Sequence, residues 1–89
     1  MSAHTRGQVE QGIKNLLSEQ LGVDAAFVAA CDDATPLLGH GIGLDSIEVM
    51  ALALGIEREF GIQIPDEELT LELFQDLATL TEYVLRKTR

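Results

Sequence analysis

Among the 89 residues, few side chains can do chemistry: one cysteine, Cys31, two histidines, His4 and His40, a serine behind an aspartate at Asp45-Ser46, and two runs of acids. A serine nucleophile needs a base and an acid that orients the base. Gly43-Leu44-Asp45-Ser46-Ile47 is not the Gly-x-Ser-x-Gly elbow of a hydrolase, and His4, in an end expected to fray, and His40, in a loop, are poor bases for it. Gly39, Gly41 and Gly43 lack the Gly-Lys-Ser/Thr that holds and polarises phosphates. Asp32-Asp33 and Asp66-Glu67-Glu68 have neither the alternating acids nor the central glycine and terminal glutamate of a calcium loop. Cys31, alone, makes no internal disulfide and no zinc set, and is expected as a reduced thiol in a cytosol-like compartment. These residues argue against catalysis and against a metal.

What remains is Ser46 itself. Asp45-Ser46-Ile47-Glu48 reads as a capping box, with Asp45 as N-cap and Glu48 three residues on, which puts Ser46 at the first helical position, facing water. Gly39-His40-Gly41-Ile42-Gly43 before it keeps bulk away from the hydroxyl. A serine with no base of its own can still be acted upon. The free amides and the dipole of a helix start stabilise a phosphate ester, so Ser46 suits phosphorylation or phosphodiester linkage by another enzyme.

The element that presents Ser46 carries two apolar stripes. Val49, Leu52, Ala53, Ile56 and Phe60 recur with a 3.6-residue period and form the expected core face; Ile47, Met50, Ala51 and Leu54 form a second stripe beside the serine, expected to dock a partner. A helix buried all round is the competing reading of that pattern. Upstream, residues 1–4 are expected to be disordered, and a first helix starts near Thr5 or Arg6, carries Val9, Ile13, Leu16, Leu17 and Leu21 inward and stops at Gly22. Val23 to Leu44 reads as a long ordered crossover loop pegged by Leu37, Leu38, Ile42 and Leu44. Downstream, Gly61 ends the serine helix, Pro65 opens a short helix through Leu69, and Asp76 caps a last helix with Leu77, Leu80, Tyr83 and Val84 on one face and Arg86, Lys87 and Arg89 near its end. The fold class is all-α: a small four-helix bundle of three long helices and one short one, in a single domain over residues 1–89, with a long loop between the first and second helices.

Composition sets the setting. The chain is 46% hydrophobic but only 4% aromatic, so its core must be aliphatic. A net charge of −9 repels nucleic acid and anionic membrane, and residues 45–76 hold nine acids against the single base Arg58, a field suited to partners with basic patches. No run approaches the roughly 18 apolar residues of a membrane span, and residues 1–21 lack a signal-peptide pattern. A cytoplasmic monomer is expected.

Gly43-Leu44-Asp45-Ser46-Ile47-Glu48, followed by Glu57-Arg58-Glu59-Phe60-Gly61-Ile62-Gln63-Ile64-Pro65-Asp66-Glu67-Glu68, resembles the acyl carrier proteins, and the resemblance covers nearly the whole chain. It implies that Ser46 is the attachment point for 4′-phosphopantetheine, transferred from coenzyme A by a phosphopantetheinyl transferase, with Asp45 beside it, and that acyl groups ride on the arm as thioesters. It implies a carrier that is a substrate of partner enzymes and no enzyme itself. Ile47, Glu48, Met50, Leu54, Glu57 and Glu59 would then face the basic patches of acyl-transferring, condensing or acyl-activating enzymes. Val49, Leu52, Ile56, Ile64 and Leu69 would line an acyl pocket. Ala51 and Arg58 stand where fatty-acid carriers commonly have acids, which favours a specialised, polyketide-like pathway over housekeeping fatty-acid synthesis; aspartate before the serine argues against a peptidyl carrier. The alternative is an unmodified helical interaction domain that binds partners through Ile47, Met50 and Leu54.

Overall fold

Each α-helix among the described residues begins at a side chain that accepts one amide of its own first turn. The structure, a computed structural model, describes residues 4–88. Helix α1 (Arg6–Asn15) opens with a reciprocal capping box between Thr5 and Gln8, and its last turn, Leu16–Gln20, widens to π geometry before Gly22 turns the chain with φ 74°. Helix α2 (Ala25–Ala30) starts where Asp24 accepts the Phe27 amide at 2.9 Å. Helix α3 (Ser46–Phe60) is boxed by Asp45 and Glu48 and closed by Gly61 in the left-handed conformation. Helix α4 (Leu77–Lys87) is capped by Asp76, which accepts the Thr79 amide at 2.8 Å.

Four helices, three longer and one short, make the expected all-α architecture, and there is no strand among the described residues. The short helix is not where the pattern placed it. It is α2, inside the stretch read as continuous loop, while the segment after Pro65 forms two separate 3₁₀ turns, Asp66–Glu68 and Leu71–Phe74. Six residues cannot hold a helix by themselves. Tertiary burial of Val28 and the Asp24 cap hold α2, and its alanines, the best helix formers, were the available signal. The expected disorder of residues 1–4 falls outside the described residues for Met1–Ala3, as does the place of Arg89; the ring of His4 lies edge-on to Phe60 at 5.4 Å between centroids.

The core forms where three stripes meet. Val9 and Ile13 from α1 with Leu17 from the π turn that follows it, Leu52, Ala53 and Ile56 from α3, and Leu77, Leu80, Tyr83 and Val84 from α4 are buried together. The connections add Leu37, Leu44, Leu73 and Phe74, so about 1.5–3 kcal/mol of burial per side chain comes from segments without α-helix. The π turn packs on α3 at Gly55, where a Cβ would meet Gln20 Oε1 at 2.6 Å; Gln20 in turn donates to the Ala51 carbonyl at 3.1 Å. The crossover is fastened to α4 at its start, since the carbonyls of Asp33 and Thr35 accept the amides of Ala78 and Leu77, and Arg6 bridges Asp33 and Glu82. That anchoring fixes where the chain enters the loop before Ser46.

Candidate functional site

The loop before Ser46 is closed on itself. Ile42 donates to the Pro36 carbonyl at 2.9 Å and Leu44 to the Leu37 carbonyl at 3.0 Å, so residues 36–44 fold back as one unit pegged by buried Leu37 and Leu44. Its glycines have a sterically defined purpose beyond open access. A Cβ on Gly41 would lie 1.8 Å from the Pro36 carbonyl oxygen, and Gly39 and Gly43 hold φ of 62° and 79°.

Asp45 follows that closure as N-cap of α3, accepting the Glu48 amide at 2.8 Å while the Glu48 carboxylate accepts the Asp45 amide at 3.0 Å. Ser46 is thereby held at the first helical position, exposed. The amides of Ser46 and Ile47 have no hydrogen-bond partner among the described residues, so the positive end of a 15-residue helix stands open beside the hydroxyl. No described histidine, cysteine or acid cluster has the grouping of a metal site.

Beside Ser46 opens a cavity of about 370 Å³ with an almost wholly apolar wall. It is lined by Ser46 and Asp45 with Val49 and Met50 of α3, Leu38 and Leu44 of the closed loop, and Leu71 of the second 3₁₀ turn. Of the residues read as an acyl pocket, Val49 lines this cavity. Leu52, Ile56 and Ile64 are packed in the core, and Leu69 is half-buried against it, away from the wall. Leu38 and Leu44 had been legible as apolar pegs, whereas Leu71 lay in a stretch whose pattern loosens; only the folded chain brings it here.

The face read as a docking surface splits. Ile47 is 79% exposed and Met50 and Leu54 each 51%; Met50 also lines the cavity with exposed Leu71, whereas Ile47 and Leu54 stand outside its lining. The acids differ in freedom. Glu59 stands exposed, Glu48 is engaged in the capping box, and Glu57 reaches past the end of α3 to accept the Ile64 amide at 2.7 Å. Glu57 thus serves the Gly61 turn as well as the field.

The chemistry available is that of an exposed hydroxyl at a helix start, next to an apolar cleft and an acidic surface, with no hydrogen bond from Ser46 Oγ to a base among the described residues. The family model described as "Phosphopantetheine attachment site" matches residues 11–84, which runs from α1 through most of α4 and includes the whole of this site. The chain belongs to that phosphopantetheine-attachment family and is a carrier protein of the acyl carrier type, whose members carry 4′-phosphopantetheine covalently.

Proposed function

We propose that Ser46 bears the arm. The observation that carries this reading is its placement: the exposed hydroxyl of Ser46 sits at the first position of α3, beside open amides suited to a phosphodiester, at the edge of the apolar cavity. The residues fit the group. In loading, Ser46 Oγ becomes bonded to the pantetheine-bearing phosphorus of coenzyme A, the bond from that phosphorus to adenosine 3′,5′-bisphosphate breaks, and the hydroxyl proton passes to a base of the transferase. The arm supplies a terminal thiol that carries acyl groups as thioesters. Asp45 and Glu48 keep the helix start rigid, and the acidic field around α3 draws the basic face of a phosphopantetheinyl transferase and of acyl-transferring, condensing or acyl-activating enzymes.

The exposed Ile47, Met50 and Leu54 would give those partners their apolar contact, with Glu59 as the free acid. Ala51 and Arg58 lower the acidity of α3 and favour a specialised, polyketide-like pathway over general fatty-acid synthesis. We read residues 1–89 as a single cytoplasmic carrier domain, acting as a monomer. Intact-mass measurement after incubation with coenzyme A and a transferase decides the assignment: wild type gains one phosphopantetheine and Ser46→Ala gains none. A loaded Ser46→Ala variant overturns it, and an unloaded wild type favours the unmodified interaction domain instead.

A further inference from the structure

From Pro65 to Phe74 the chain is two short 3₁₀ turns whose backbone hydrogen bonds are local: Glu68 to Pro65, Leu69 to Asp66, Thr70 to Glu68, Leu73 to Thr70 and, just past the segment, Gln75 to Glu72. Among the described residues, one side chain makes all of the segment's polar ties to another element. Glu68 accepts a hydrogen bond from the Tyr83 hydroxyl and pairs with Lys87 at 3.2 Å, both on α4. Lys87 also lies over the Tyr83 ring, 5.5 Å from its centroid. Three residues beyond Glu68, Leu71 lines the cavity although 76% of it is exposed, so burial of its own side chain does little to hold it there. Half-buried Leu69 and buried Leu73 anchor the chain on either side.

We propose that Glu68 is a positioning residue for the cargo: by tying residues 65–74 to α4 it holds Leu71 across the cavity and shields an apolar group borne from Ser46. The proposal rests on the reading of Ser46 as the arm-bearing residue. Both partners are in the right state near neutrality. Burial, followed by the Glu68 carboxylate, pushes the Tyr83 hydroxyl up, so it remains a donor; the Tyr83 hydroxyl, then Lys87, with a weaker pull from Arg86, hold Glu68 below its ordinary range, so it remains an acceptor. The remaining charge that reaches this cluster is Glu57 of α3, which acts on Tyr83.

The experiment compares wild type, Glu68→Ala, Tyr83→Phe, Leu71→Ala, the Glu68→Ala/Leu71→Ala double variant, and Val9→Ala as a core-destabilised control away from the segment. Each is loaded from octanoyl- or acetyl-coenzyme A by a transferase, and cleavage of the thioester by hydroxylamine is timed. Glu68→Ala and Tyr83→Phe should raise the octanoyl-to-acetyl ratio of cleavage rates about threefold or more, the scale set by losing one net hydrogen bond. The double variant should add little to Leu71→Ala, because both changes remove the same wall. Amide exchange on the unmodified chain should quicken at Thr70 to Leu73 in Glu68→Ala and stay unchanged at Ile13. An unchanged cleavage ratio in Glu68→Ala, or an equal rise in Val9→Ala, overturns the proposal. Failure to load Ser46 overturns the Ser46 reading instead, and the exchange measurement still decides whether Glu68 holds the segment: unchanged exchange at Thr70 to Leu73 refutes it.

Discussion

The carboxylate of Glu57 accepts the backbone amide of Ile64 at 2.7 Å, joining the last turn of α3 to the chain that leads into Pro65. Ile62 donates to the Glu57 carbonyl at 3.2 Å across the Gly61 turn, so one residue closes the helix end with both its backbone and its side chain. Glu59, two residues on, makes no such bond among the described residues. Reversing the charge at each position should separate the two kinds of acid. Glu57→Lys leaves the part-buried Ile64 amide without its acceptor and should lower the melting temperature, at a cost of about 1–3 kcal/mol. Glu59→Lys should leave the melt unchanged and slow loading by the transferase, more so at low salt, where exposed charges are least screened. Melts and loading rates at two ionic strengths check both.

Ile56 is fully buried and Leu54 half exposed on the same helix. Ile56→Ala should leave a cavity between the α1, α3 and α4 stripes and cost roughly 2–5 kcal/mol. Leu54→Ala should cost no more than about 1 kcal/mol and instead slow loading or acyl transfer. Denaturant midpoints beside loading rates make the contrast, and an unfolded Leu54→Ala with an intact Ile56→Ala would exchange the two faces.

Thr81 on α4 is fully buried, and its hydroxyl oxygen has no hydrogen-bond partner among the described residues. Valine has nearly the same shape without the polar atom. Removing an unsatisfied buried hydroxyl should stabilise the domain, so Thr81→Val is expected to raise stability by about 1 kcal/mol, read as a higher melting temperature with loading unaffected.

Acid should unfold the protein partly through two carboxyls on and around α4. The Thr79 hydroxyl, then its amide, hold Asp76 below its ordinary value of 3.8; the Tyr83 hydroxyl, then Lys87, hold Glu68 below 4.5. Because these folded-state values are depressed, the unfolded chain takes up the protons first. Their contribution is therefore complete above the ordinary values and is lost as pH falls through the folded ones. Urea midpoints followed downward from pH 6 should drop less steeply in Asp76→Asn and Glu68→Gln than in wild type, and slopes equal to wild type would exclude these two carboxyls as the source.

Local chemistry within one turn of helix was readable before any fold. Asp45 and Glu48, or Asp76 and Thr79, are three residues apart, a separation that the helix itself brings to bonding distance, so the caps and the exposure of Ser46 follow from sequence alone. The inward stripe of Leu52, Ala53 and Ile56 was legible for the same reason, since the helical period decides which side chains share a face. What tertiary structure decided are the contacts between residues far apart in the chain. Leu38 and Leu71 line the same cavity beside Ser46, Glu68 reaches Tyr83, and α2 is helical because Val28 finds the core. Periodicity carries no information about such pairs. The loop glycines mark the boundary between the two: their number suggested open access to Ser46, but the chain places Gly41 against the Pro36 carbonyl, where only a missing Cβ lets the loop close.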